Sequence, residues 1–234
     1  MAENENSKAL LNVLWAGADI LRGKMDANEY KNYLLGIVFY KYLSDTFLTH
    51  VYDLLNDEVP ENMTVAQQAY EKIYETEDAE ELLEEVKESY HYTIDPQLTY
   101  TKIAEAANNN AFQRESLQKA FNNIEQSDPI FANMFSDIDL YSTRLGAGEQ
   151  KQSSTVADLV KTINEADLLN YEGDVLGDAY EYLIGQFASE TGKKAGEFYT
   201  PQEVSQILTR IAIMGQEDKK GLLCLLYTSP SPRD

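Results

Sequence analysis

Eight residues in the last fifth of the chain combine a permissive loop, two aromatic rings and a helix start: Gly196-Glu197-Phe198-Tyr199-Thr200-Pro201-Gln202-Glu203. Thr200, Pro201 and Glu203 fit the N-cap, N1 and N3 positions of one helix, a capping box with proline where its missing N–H is not needed. Such a start presents free backbone N–H groups and the positive end of the helix dipole, which suit a carboxylate or a phosphate. Phe198 and Tyr199 stand just before it and can pack on an adenine face or a thioether. Gly192 and Gly196 flank Lys193 and Lys194 and let the loop close over a ligand. An ordinary capped helix after a flexible loop would carry the same pattern, so the residues alone leave both readings open.

Other candidates carry less chemistry. Gly146-Ala147-Gly148 begins like a dinucleotide loop, but it lacks the third glycine and no strand precedes it. His50 sits in a well-formed helical pattern and reads as a packed or surface histidine. His91 has no Cys, His or paired carboxylate at metal-ligand spacing, so no metal site is expected. Tyr33, Tyr40, Tyr52 and Tyr74, four of sixteen tyrosines, fall at helical positions and read as core edges rather than a base-stacking platform. Cys224 has no neighbouring base to make it a nucleophile. No residue is assigned a catalytic role.

The elements that would position the junction are helical. Leu10, Leu14, Ala18 and Leu21 recur at helical spacing. Asp26 can cap a second helix, with Glu29 as its reciprocal partner. Tyr30, Tyr33, Leu34, Ile37, Val38 and Lys41 follow the same period, which runs on through Phe47, Leu48, Val51, Tyr52 and Leu55. This helix is apolar on more than one side and is expected at the centre of a bundle, with residues 8–56 mostly helical and buried. Residues 57–88 hold twelve acids and two lysines. Leu82, Leu83 and Val86 keep a narrow apolar stripe there, which predicts a peripheral helix pair with a solvated outer face. Tyr90 to Ile94 is β-prone and ends at Asp95-Pro96. Ser116 to Glu125 reads as a short helix, residues 136–154 as loop, and Thr155 to Ala166 as another helix. Leu176, Tyr180, Leu183 and Phe187 share one helical face, with Asp174 as cap. Val204, Ile207, Leu208 and Ile211 would form the buried stripe of the last helix.

The chain has 234 residues, 43% of them hydrophobic, enough to fill a core. A formal net charge of -21 argues against broad binding of a phosphate backbone by this chain alone, because such affinity comes from Lys and Arg. A single cysteine excludes an internal disulfide and suits a reducing compartment. The polar, acidic start is unlike a signal peptide and no apolar run is long enough to span a membrane, so a soluble, cytoplasmic protein without membrane attachment is expected.

Two stretches then resemble a known family. Gly196-Glu197-Phe198-Tyr199-Thr200-Pro201, preceded by Asp178-Ala179-Tyr180-Glu181-Tyr182-Leu183-Ile184 and Lys193-Lys194, is similar to the hallmark segment of the modification (M) subunits of type I restriction–modification enzymes. Leu14-Trp15-Ala16, Ala18 to Gly23 and Tyr40-Lys41-Tyr42-Leu43-Ser44-Asp45 resemble the same family's N-terminal helical domain. The resemblance runs from about residue 8 to 221 and is least distinctive over 57–150. It implies a DNA adenine methyltransferase that uses S-adenosyl-L-methionine, with Glu197, Phe198, Tyr199, Thr200, Pro201 and Gln202 contributing to the cofactor pocket. It also implies partners: a specificity (S) subunit, a restriction (R) subunit, a second M subunit and double-stranded DNA.

The sequence departs from that pattern after residue 221. Family members continue into a strand, an Asp-Pro with a Gly-Ser-Gly loop and, later, Asn-Pro-Pro-(Phe/Tyr). Here no Asp-Pro with a glycine loop follows, and Asn-Pro-Pro occurs nowhere. Residues 222–234 therefore read as foreign to the fold, as a truncated or mis-joined frame would give, the alternative being a natural short paralogue. The expected fold is mainly α: an N-terminal helical domain over 1–170, the first helices of an incomplete α/β (Rossmann-like) methyltransferase domain over 171–221, and the tail. The rival expectation is a non-catalytic helical module that docks on a specificity subunit.

Overall fold

A computed structural model describes residues 5–169, 174–191 and 202–214. The chain divides into two units, Met1–Ala195 and Gly196–Asp234, each considered by itself. Among the described residues the first unit is built from α-helices, short 3₁₀ turns and extended segments, with no strand.

Helix α1 (Glu5–Leu21) buries Leu10, Leu14, Ala18 and Leu21, the expected stripe. Gly23 follows it at φ +81°, a left-handed position that only glycine takes without strain. The chain turns there into α2 (Ala27–Asn56). Asp26 occupies the N-cap position, but its side chain makes no capping bond, so the expected reciprocal box does not form. Glu29 is drawn instead into an ion pair with Arg144. A distant guanidinium competes successfully with a local amide for the same carboxylate.

Helix α2 is the axis of the unit. Tyr30, Tyr33, Leu34, Ile37, Val38, Lys41, Phe47, Leu48 and Val51 are all buried along it, and it packs on α1, α3, α4, α5, α7 and α8. A side chain on Gly36 would collide with Ile138, whose Cδ1 lies 2.0 Å from the ideal Cβ position. Glycine there lets the 135–138 segment press onto the helix. Residues 8–56 are helical apart from the Arg22–Asp26 turn and bury one side of α1 and most of α2, as their periodicity predicts, but Leu55, expected in the same stripe, is exposed where α2 ends.

The acidic region folds into the expected pair, α3 (Met63–Tyr74) and α4 (Ala79–Tyr90), both against α2. Asn62 caps α3 by accepting from the Val65 amide at 3.1 Å. Tyr90 to Ile94 is not a strand. Its alternation survives as burial of Tyr92 and Ile94, but no neighbouring strand offers a ladder, and side-chain hydroxyls take over that work. Tyr92 donates to the Leu43 carbonyl at 2.9 Å, and the Ile94 carbonyl accepts from Tyr70 at 2.6 Å.

Helices α5 (Tyr100–Asn108) and α6 (Arg114–Ser127) follow, then 3₁₀ turns at Pro129–Phe131 and Thr143–Leu145. Helix α7 (Glu149–Asn164) begins earlier than its sequence suggests, because Ser-rich residues 149–154 continue the helix instead of a loop. Gln152 explains the extension: its side chain accepts from Arg114 at 2.6 Å in a buried site, so a polar residue points inward. Helix α8 (Val175–Thr191) packs on α1 and α2. The second unit contributes α9 (Gln202–Ile213). Among the described residues no helix is long and apolar enough to cross a membrane.

Candidate cofactor-binding junction

Of the expected cofactor residues, Gln202 is the first residue of α9, while Glu197, Phe198, Tyr199, Thr200 and Pro201 lie outside the described residues. The helix begins directly after the Thr-Pro pair. Its first backbone N–H groups have no intrahelical partners, the general condition of a helix start. The stripe of α9 is not buried as expected. Val204, Ile207, Leu208 and Ile211 are 44%, 57%, 57% and 63% exposed. Periodicity makes one side of a helix apolar, but burial needs a facing element, and α9 is the sole element described in its unit.

Helix α8 carries the motif Asp178 to Ile184. Asp174 caps it as expected: its Oδ1 accepts from the Gly177 amide at 2.8 Å. A Cβ at Gly177 would stand 2.3 Å from the other carboxylate oxygen, so glycine leaves the cap its room. The inward seam is rotated from the expected one. Leu183 is buried and Leu176 partly buried, but Tyr180 is 51% exposed and Ala179 takes its place inside. The side chain of Phe187 lies outside the described residues. Tyr182 is half-buried, and burial pushes its phenol up against the opposing charge of Arg22.

On α1 the motif Leu14 to Gly23 puts Leu14, Ala18 and Leu21 inside and Trp15 outside. The Arg22 guanidinium lies 4.5 Å from the centre of the Trp15 ring and pairs with Asp19 at 2.5 Å.

The stretch Tyr40 to Asp45 is a hub. Tyr40 donates to the Leu98 carbonyl at 2.6 Å, Ser44 Oγ accepts from the Tyr100 amide at 2.7 Å, and the Leu43 carbonyl holds Tyr92. Lys41 and Asp45, one turn apart, form a buried ion pair. The Lys41 ammonium also lies 5.5 Å from the centre of the Tyr100 ring. Burial raises the Asp45 carboxyl, with Lys41 opposing that rise. Sequence reasoning missed this pair as a unit. The available signal was a Lys and an Asp four apart within an otherwise apolar helix.

The remaining candidates within the described residues are structural, and Cys224 lies outside those residues. Gly148 is the N-cap of α7 at φ +86°. His50 packs edge-on to Tyr90 at 4.8 Å between ring centres. His91 ends α4 in the left-handed conformation and faces Asp128 at 3.7 Å. The tyrosines are core edges: Tyr33 donates to the Asp139 carbonyl at 2.7 Å, and Tyr40 meets Phe121 edge-on at 5.5 Å. Among the described residues no group of three or more His, Cys, Asp or Glu is placed to hold a metal ion.

Residues 10–163 match the family described as the HsdM N-terminal domain, and residues 171–223 match the N-6 DNA Methylase family. The chain is 29% identical over 220 residues to the type I restriction enzyme MpnII methylase subunit of Mycoplasma pneumoniae, covering 88% of this chain and 39% of that protein. It is 30% identical over 216 residues to the type I restriction enzyme MjaVIII methylase subunit of Methanocaldococcus jannaschii, covering 89% and 32%. The crystal structure of the type I restriction-modification system methyltransferase subunit from Streptococcus thermophilus superposes with a TM-score of 0.83 at 52% identity, covering 92% of this chain and 46% of that one. The chain thus spans from 32% to 46% of the length of these relatives.

Proposed function

Since this chain belongs to the HsdM N-terminal domain family and continues into the N-6 DNA Methylase family, we propose that it is the N-terminal portion of a modification subunit that methylates adenine N6 in DNA. The observation that carries the reading is the order of the two matches, 10–163 then 171–223, with a helix N-terminus at Gln202.

In this reading residues 1–170 form the helical domain and 171–221 open the methyltransferase domain. Glu197, Phe198, Tyr199, Thr200, Pro201 and Gln202 supply one wall of the pocket for S-adenosyl-L-methionine. Phe198 and Tyr199 lie against the ligand, and the α9 N-terminus stands near its charged end. When bound, the cofactor supplies an electrophilic methyl group on sulfur. The target adenine must leave the helical stack to present its amino group. The acidic chain, at net charge -21, depends on a specificity subunit for DNA, with a second modification subunit and a restriction subunit completing a cytoplasmic assembly.

The test joins residues 1–221 to the downstream region of a whole type I methylase subunit and supplies a specificity subunit. Transfer of labelled methyl groups to adenine is expected, with cofactor affinity several-fold weaker after Tyr199→Ala. Unchanged affinity in a folded Tyr199→Ala variant would reduce the junction to a structural cap. The chain of 234 residues contains no Asn-Pro-Pro and by itself is expected to transfer no methyl group. Transfer by the purified chain would overturn that part.

A further inference from the structure

A cavity of about 860 Å³ opens in the first unit. Its floor is α2, through Lys41, Asp45 and Thr49. Its walls are α3 and α5, and the residues after α7 close one end. The size falls within the range of small-molecule sites.

Three independent features point to the charge of its ligand. First, Asp45 is only 2% exposed and lines the cavity, and while one carboxylate oxygen meets Lys41, the other, Oδ1, has no hydrogen-bond partner. Thr49 Oγ1, one turn further along the same face, is likewise buried and unpartnered. A buried oxygen without a donor is costly, so the pair calls for a donor from a guest. Second, six carboxylates line the cavity against two ammonium groups, Lys41 and Lys102. Lys102 is already engaged, at 3.1 Å from both Glu71 and Glu105. Third, α5 and α7 both end at this cavity, at Asn108 and Asn164. Helix C-termini carry the negative end of the dipole and favour cations.

We propose that this cavity binds an organic cation, an alkylammonium or guanidinium group that donates to Asp45 Oδ1 and Thr49 Oγ1 while Glu71 and Glu105 hold it at the rim. The chemistry is shared by a free polyamine and by a Lys or Arg side chain of a partner protein. It is independent of the methyltransferase reading.

The test is calorimetry of the whole chain with spermidine and, separately, with Nα-acetyl-arginine amide. A chain of net charge -21 attracts any polycation, so the informative variant removes the site at constant charge: Lys41→Met together with Asp45→Leu. Single-site saturable binding by the wild type, about tenfold or more weaker in that variant, is expected. Glu105→Gln should weaken it roughly two- to fivefold. Tighter binding of spermidine identifies a free polyamine as the guest, and tighter binding of the arginine amide identifies a side chain. Equal binding by wild type and double variant, or no saturable phase with either probe, overturns the proposal. Should the double variant not fold, Thr49→Val and the map of ligand-induced amide shifts decide. Undiminished affinity, or shifts away from α2, α3 and α5, is equally fatal.

Discussion

Helices α2 and α9 carry the same kind of apolar stripe and meet opposite fates. Along α2, Leu34, Ile37, Val38, Phe47 and Leu48 are buried to the last atom, and polar Lys41, Ser44 and Asp45 are buried with them. Along α9, Val204, Ile207, Leu208 and Ile211 stand more than two-fifths exposed. The contrast separates two quantities that a periodic pattern merges. Spacing decides which side of a helix is apolar, whereas burial depends on what other elements bring to that side. On α2 the cover comes from six helices, and it is complete enough to enclose an ion pair. A buried charge is tolerated there because its partner lies one turn away and an aromatic ring faces it.

The largest effect expected from breaking this contrast is at the ion pair. Asp45→Ala leaves the Lys41 ammonium buried and unpaired and should destabilise the first unit by about 3–5 kcal/mol, measured by urea unfolding. Next, Leu34→Ala in the α2 stripe should destabilise by about 2–5 kcal/mol. Leu208→Ala in α9 should change stability by no more than about 0.5 kcal/mol, the range of surface substitutions. Equal effects would show that the α9 stripe is covered in solution.

Alkaline pH provides a third comparison. Burial pushes the phenols of Tyr40, Tyr70, Tyr92 and Tyr100 above the ordinary tyrosine value. A group whose folded value is raised stabilises the fold fully below its unfolded value and loses that contribution as pH rises toward the folded one. The first unit should therefore lose stability as pH rises past about 10, read by thermal melts. α9 contains no tyrosine and should show no such loss. Tyr100→Phe, which removes the bond its hydroxyl donates to the Val160 carbonyl at 2.9 Å, should cost about 0.5–1.5 kcal/mol at neutral pH and flatten the alkaline decline. At the junction, Thr200→Ala should cost about 1 kcal/mol of helix stability if Thr200 caps α9. Unchanged α9 helicity by amide exchange would remove Thr200 from that role.

Much of the first unit was legible from residues alone, since α1, α2, the acidic pair and the Asp174 cap follow from short-range patterns. The misreadings share one cause. Asp26 and Glu29 fit a capping box, yet Arg144, more than a hundred residues away, takes Glu29. Residues 149–154 look like loop, yet Arg114 turns Gln152 inward and the helix continues. Tyr180 fits the α8 face, yet the smaller Ala179 is the one enclosed. Each turns on a partner remote in sequence. Of the candidate site, a helix starting at Gln202 was legible, because proline acts on its own neighbours, while Thr200 as its cap lies outside the described residues.

The sequence by itself determined helix positions, their apolar sides, the family resemblance and the strongly acidic balance, because these depend on residue identity and spacing of one to four. Only the tertiary structure decided that Lys41 and Asp45 are buried together. It also decided that tyrosine hydroxyls rather than a sheet hold residues 92–100, and that α2, α3 and α5 enclose a polar cavity. Those outcomes need groups from different helices to meet, and a polar atom is satisfied or left without a partner only once every neighbour is in place.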